Sequence, residues 1–136
     1  SKSTGYDITN SSDRRRIISE SRHCDCFINN ATDGFGQTEL LIELFYEWKN
    51  QDKTIINVGS RIAEVSLSPG YEHLLLYSAQ KKALKSIISD MQGHTCKIKY
   101  KWFGYVGTEK ILKKYPHFTT NDYISVDDAA NIILEN

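Results

Sequence analysis

Short β-branched runs alternate along this chain with stretches whose apolar residues recur at helical spacing. Residues 10–13 are rich in Asn, Ser and Asp, a helix start signal, and residues 14–21 carry Ile17 and Ile18 among polar neighbours, which predicts a first helix. Residues 24–28 are short and mostly apolar and stop at the polar pair Asn29-Asn30, as a buried parallel strand stops at a loop. Across residues 37–49 the apolar positions Leu40, Leu41, Leu44, Phe45 and Trp48 predict a helix burying one stripe. After a polar turn at 50–53, Thr54–Val58 is a β-branched run bounded by Gly59, hence a second buried strand. Ser68, Pro69 and Gly70 close an irregular stretch. A long helix is predicted from about 71 to 91, stopping at Gly93, then a third strand at 96–102 and a helical turn or two at Glu109–Lys114. A last helix, Val126–Leu134, has Ser125 as its cap.

Strands that alternate with helices over short loops predict an α/β fold, a parallel sheet covered on both faces, with ligands bound beyond the carboxyl ends of the strands. Asn29-Asn30, Ser60 and Phe103-Gly104 all fall at such ends. At 136 residues the chain reads as one domain, able to bury roughly two-thirds of its unfolded surface. Lys plus Arg number 17 and Asp plus Glu number 17, so no long-range field gathers nucleic acid or anionic lipid. No apolar stretch approaches the roughly 20 residues that span a bilayer, and the polar start Ser1-Lys2-Ser3-Thr4 is no secretory signal; the expectation is a cytoplasmic protein. Cys24, Cys26 and Cys96 form no C-x-x-C pair, and Cys24 and Cys26 are expected on one face of a strand. His23, His73, His94 and His117 are scattered, so no metal site is expected. Internal repeats and low-complexity segments are absent.

Candidate chemistry centres on Tyr77 and Lys81, four apart and therefore about one turn apart on one face of a helix. A lysine ammonium close to a phenol favours the phenolate, and such a tyrosine can pass a proton to or from an alcohol or carbonyl oxygen. Ser60, at a strand end, could hold that oxygen by a hydrogen bond. Taken alone, the pair is better explained as a solvated helix face.

The order of three segments narrows this. Asn29-Asn30-Ala31, Ile55-Ile56-Asn57-Val58-Gly59-Ser60 and Tyr77-Ser78-Ala79-Gln80-Lys81 together resemble the core of a short-chain dehydrogenase/reductase. Phe103-Gly104-Tyr105-Val106-Gly107-Thr108 is similar to that family's Pro-Gly-x-x-x-Thr segment at the nicotinamide, with Phe for Pro. Gly5-Tyr6-Asp7-Ile8 resembles the short strand whose terminal Asp meets the adenine, and residues 125–133 look like the late helix after the substrate loop. The resemblance implies a Rossmann-like, doubly wound parallel sheet. It implies Tyr77 as acid/base, Lys81 as the residue that tunes it and holds the nicotinamide ribose, and Ser60 as the group that orients the substrate oxygen. It further implies cofactor contacts at Asp7, Asn29, Asn30, Ala31, Gly104, Val106 and Thr108. Lys2 lies where a basic residue would pair with a 2'-phosphate, which favours NADP(H) while leaving NAD(H) possible.

The family's glycine-rich Gly-x-x-x-Gly-x-Gly loop does not occur, and Gly34-x-Gly36 stands in the wrong place, so the fold is expected to be N-terminally incomplete, with a segment preceding Ser1. Residues 31–54 are shorter than in typical members. The helix that usually carries a catalytic Asn has none from 37 to 48, and Gln37 is its candidate substitute. Residues 61–71 and 105–121 are what remains to shape a substrate pocket, and they do not identify the substrate. The leading expectation is an NADP(H)-dependent oxidoreductase acting on a small carbonyl or alcohol. The alternatives are a dinucleotide-binding protein without turnover and an interaction domain without ligand. By the same resemblance the helices at 37–48 and 71–91 could pair subunits in a homodimer or tetramer, with Phe45, Trp48 and residues 74–76 as either contacts or core.

Overall fold

A computed structural model of the chain describes residues 5–135. Its elements run α1 (Ser11–Glu20), β1 (Cys26–Asn29), α2 (Gly36–Trp48), β2 (Thr54–Val58), α3 (Leu75–Ser89), β3 (Lys97–Lys101), α4 (Glu109–Lys114) and α5 (Val126–Leu134), with 3-10 turns at Arg61–Glu64 and Glu72–Leu74. The strands form one parallel sheet in the order β1-β2-β3. In register, Phe27 faces Ile55 and Ile55 faces Ile98, while Asn29 faces Asn57 and Asn57 faces Tyr100. This is the Rossmann-like α/β arrangement expected from parallel strands joined by helices.

Local chemistry sets the boundaries. The Asn10 side chain accepts from the Ser12 and Asp13 amides at 2.8 and 3.2 Å, so α1 begins at Ser11, earlier than the apolar pattern alone marks. Ser125 caps α5 by accepting from Asp128 N at 3.0 Å. The single helix expected over 71–91 is broken. Gly70, at φ +96°, turns the chain, and the Glu72 carboxylate accepts from its amide at 3.1 Å, which leaves a 3-10 turn before α3 starts.

Two other expectations are corrected. Residues 5–8 form no strand among the described residues. Asp7 N donates to Asp13 Oδ2 at 2.9 Å, and the Asp7 carboxylate accepts from the Thr9 amide and hydroxyl at 3.0 and 2.6 Å, a local turn that outcompetes pairing. Cys24 lies outside β1, so Cys24 and Cys26 share no strand face; both are exposed.

The core lies where α1, α2 and α3 meet the sheet. Ile18, Leu40, Leu41, Leu44, Ile55 and Leu84 belong to one buried cluster. Phe45 and Trp48, expected as subunit contacts, are 9% and 0% exposed within that cluster; the helical stripe they belong to is spent on the chain's own core. Phe27 meets Trp48 edge to face at 6.4 Å, and Lys53 Nζ lies 4.4 Å from the Trp48 ring centre. Ile8 plugs the start of α2, where a Cβ on Gly36 would come within 2.7 Å of the Ile8 carbonyl oxygen. Among the described residues no helix is long and apolar enough to cross a membrane.

Candidate active site

The carboxyl ends of β1 and β2 are tied together by amide side chains. Asn29 and Asn57, opposite each other in register, are both buried. Asn29 Nδ2 donates to Asn57 Oδ1 and to the Gln37 carbonyl, each at 3.0 Å, and Asn57 Nδ2 donates to the Lys99 carbonyl at 3.1 Å. Gln37, in the first turn of α2, returns the connection: its Nε2 donates to the carbonyls of Asn29 at 2.8 Å and Val58 at 2.9 Å. Three strands and one helix start are thereby fixed by buried amides, each of which would cost about 1–3 kcal/mol if left unpaired.

The remaining Gln37 oxygen faces Lys81. Lys81 Nζ donates to Gln37 Oε1 at 2.9 Å and to Thr32 Oγ1 at 2.8 Å. The reason lies in α3, whose buried stripe is Ser78, Lys81, Leu84 and Ile88. Lys81 is 4% exposed, and burial pushes its ammonium down to about 8, because a charged amine loses hydration that two neutral oxygens replace only in part. One turn earlier, Tyr77 stands at the rim of that stripe, 38% exposed, with Lys81 Nζ 6.0 Å from its ring centre. The result is an accessible phenol beside a sequestered cation.

Ser60 follows β2 and Gly59 in extended backbone, φ −145° and ψ 151°. Its hydroxyl accepts weakly, at 3.4 Å, from the Ile62 amide, and so caps the 3-10 turn Arg61–Glu64. That turn packs on α3, which brings Ser60 and the Tyr77–Lys81 helix to one side of the β2 end. Glu64 holds the packing through an ion pair with Lys85 and accepts from the Tyr100 hydroxyl at 3.1 Å.

The structure gathers Asn29, Gln37, Lys81 and Tyr77 into one connected group, with Ser60 on the neighbouring turn. Asn29 is 1% exposed, with its Nδ2 engaged between the strands and its Oδ1 buried without a hydrogen-bond partner. Asn30 is exposed, and Ala31 packs against the core. Asp7 closes its own turn, as described above. Gly104 lies exposed in a bend; Val106 pairs with Ile124 in an isolated parallel bridge; the Thr108 hydroxyl accepts from Ile111 N at 3.3 Å and caps α4. Lys2 lies outside the described residues. Asn57, Thr32, Tyr100 and Glu64 escaped the sequence reading; only Asn57, a polar residue inside a β-branched run, left a signal there. A groove of about 470 Å³ between α1 and α2, lined by Arg15, Ile18, Arg22, Tyr46 and Glu47 among others, includes none of the strand-end residues.

No family model and no curated protein matches the sequence. Solved structures do. The chain is similar to a short-chain dehydrogenase from Burkholderia cenocepacia J2315 in complex with NADP, with TM-score 0.72 and 23% identity over 94% of this chain and 61% of that one. It is also similar to a short-chain dehydrogenase/reductase from Caenorhabditis elegans with cofactor, at TM-score 0.72 and 18% identity over 95% and 65%. A third, from Burkholderia phymatum in complex with NAD, superposes at TM-score 0.58 and 17% identity over 74% and 46%. This chain spans less than two-thirds of the length of each.

Proposed function

We propose that this chain, which has the fold of the short-chain dehydrogenases/reductases, carries the reacting end of an NADP(H)-dependent oxidoreductase acting on a carbonyl or alcohol. The observation that carries the reading is the hydrogen-bonded path from the strand ends through Gln37 to Lys81, with the Tyr77 phenol exposed beside it. Similar structures hold NADP or NAD, and the donor set here suits the nicotinamide-ribose end of such a molecule: an ammonium with a third N–H, a phenol and a hydroxyl.

When bound, a reduced nicotinamide would supply a hydride, a proton carrying two electrons, to a carbonyl carbon. Tyr77 Oη gives its proton to the carbonyl oxygen in that direction and takes one from the alcohol in the other. Lys81, held by Gln37 and Thr32, stabilises the negative charge left on the phenol oxygen. Ser60 Oγ, weakly engaged with Ile62 N, turns its hydrogen to the substrate oxygen. Exposed Asn30, with Gly104, Val106 and Thr108, would line the cofactor's path. The preference for NADP(H) over NAD(H) rests on Lys2, and equal affinity for NADPH and NADH would remove it. A homodimer or tetramer, built on exposed Leu75 and Leu76 rather than Phe45 and Trp48, belongs to the same reading; sedimentation at micromolar concentration showing only monomer would dismiss it.

A dinucleotide-binding protein without turnover is the second reading, favoured by Thr32 and Gln37 already occupying two donors of Lys81. Fluorescence titration with NADPH followed by a panel of carbonyl substrates separates the two. The oxidoreductase reading expects saturable binding and turnover that Tyr77→Phe lowers by about 10²-fold or more without moving the NADPH affinity. Undiminished turnover in Tyr77→Phe would overturn the assignment, and binding without any turnover would leave the second reading.

A further inference from the structure

We propose that Thr32 is a positioning residue for Lys81: its hydroxyl holds the lysine ammonium, and its side chain is the cover that keeps that ammonium from water. The inference rests on the reading of Lys81 as the residue that tunes Tyr77.

The two partners of Lys81 differ in kind. Gln37 is the inner one, 4% exposed. Its orientation is settled, because Nε2 donates to the Asn29 and Val58 carbonyls and leaves Oε1 for Lys81 Nζ at 2.9 Å. Thr32 is the outer partner. It is exposed, in the loop between β1 and α2, and its Oγ1 accepts from Lys81 Nζ at 2.8 Å, yet Lys81 itself is 4% exposed. An exposed hydroxyl in contact with a sequestered ammonium stands on the route by which water would reach it.

The loop fixes where that hydroxyl is presented. On one side of it Ala31 packs against the core. On the other, Gly34 at φ +54° turns the chain and the Gly36 amide donates to the Asp33 carbonyl at 2.9 Å, a turn that leads into α2. Thr32 is thus carried on a short bridge anchored at both ends.

Its role differs from that of an ion-pair partner. Burial, with no carboxylate contributing, is what pushes the Lys81 ammonium down. Of the titratable groups around it, Tyr77 on α3 presents its ring, centred 6.0 Å from Nζ. Lys85, one turn further along α3, pairs with Glu64 of the 3-10 turn, and Asp33 follows Thr32 in the loop. A neutral oxygen compensates a buried ammonium only in part, whereas water admitted to it would hydrate it. Hydroxyl and cover therefore act in opposite directions: the first favours the charged form, the second opposes it.

That opposition supplies the test. The Lys81 Cε resonance is titrated by NMR in protein with isotope-labelled lysines and no added cofactor, and is identified by its absence from Lys81→Met. Thr32→Val keeps the cover and removes the acceptor, and Lys81 is expected to lose its proton about one pH unit below the wild type. Thr32→Ala removes both and lets water in, and the titration is expected about one pH unit above the wild type. Thr32→Ser, which restores the hydroxyl, is expected to bring the titration back to within about 0.3 pH unit of the wild type. An unmoved titration in Thr32→Val would overturn the proposal. So would a titration in Thr32→Ala that stays in place or moves the same way as in Thr32→Val. With NADPH and the best carbonyl substrate, the alkaline limb of kcat is expected to follow the amine in both directions. A limb that stays in place while the amine moves would instead remove the reading of Lys81 as the group that tunes Tyr77. If the wild-type protein turns over no carbonyl, the oxidoreductase reading falls, and the resonance alone decides whether Thr32 holds and covers Lys81.

Discussion

Lys81 carries its charge almost wholly out of water, and this gives the folded protein a pH signature. The unfolded chain titrates this lysine at its ordinary 10.5, the folded chain at about 8. Below pH 8 both states hold the proton and the burial penalty is complete. Between about 8 and 10.5 the unfolded state binds more protons, so stability rises with pH, by on the order of 3 kcal/mol across the window. Urea denaturation of wild type and Lys81→Met from pH 7.5 to 9.5 should show the difference moving in favour of the wild type as pH rises. A flat difference would mean that the ammonium is better solvated than its 4% exposure implies. The carbonyl reduction proposed above is expected to fall over the same range, as the cation beside Tyr77 is lost. At this scale the sequence marked Tyr77 and Lys81 by helical spacing and Ser60 by its strand end, both local facts, and reached Gln37 only through the family resemblance. It could not disclose Thr32, Tyr100 or Glu64, whose partners lie 49, 36 and 21 positions away and depend on which strands become neighbours.

Among the elements, α2 does most to join fold and site, since one end enters the core through Leu41, Leu44 and Trp48 and the other presents Gln37 to both strand ends. Replacing Gln37 by Leu keeps the volume approximately and strips the Asn29 and Val58 carbonyls and Lys81 of a partner. We expect a loss of about 3 kcal/mol or more in urea denaturation, far above the 0.5 kcal/mol typical of a surface change. The elements themselves were largely legible. Thr54–Val58, Glu109–Lys114 and Val126–Leu134 have the limits that β-branching, capping and turn residues mark, and the other strands and helices differ by a few positions. Two of the failures share one cause. At residues 5–8 and 71–74 short-range hydrogen bonds, Asp7 with Thr9 and Glu72 with Gly70, impose turns where the resemblance implied a strand and the apolar pattern extended a helix.

Over the whole molecule, the segment from Tyr105 to Ile124 stands apart from the sheet. Val106 and Ile124 bridge its base, with Gly107 N donating to the Ile124 carbonyl at 2.8 Å and Ile124 N to the Tyr105 carbonyl at 3.0 Å. Exposed Tyr105 and half-buried Tyr115 and Phe118 stack on one another, with ring centres 4.7 to 5.2 Å apart. A loop closed at its own neck hands its length over to variation. Lengthening it adds only the logarithmic closure entropy, about 0.6 kcal/mol per doubling, and the strands feel none of it. Four Gly/Ser residues inserted after Thr120, at an exposed turn, should therefore cost no more than about 1 kcal/mol by urea denaturation; a larger loss would show that the sheet leans on this segment. The neck thus makes 105–124 a region whose length can change while Lys81, Gln37 and the strand ends stay as they are.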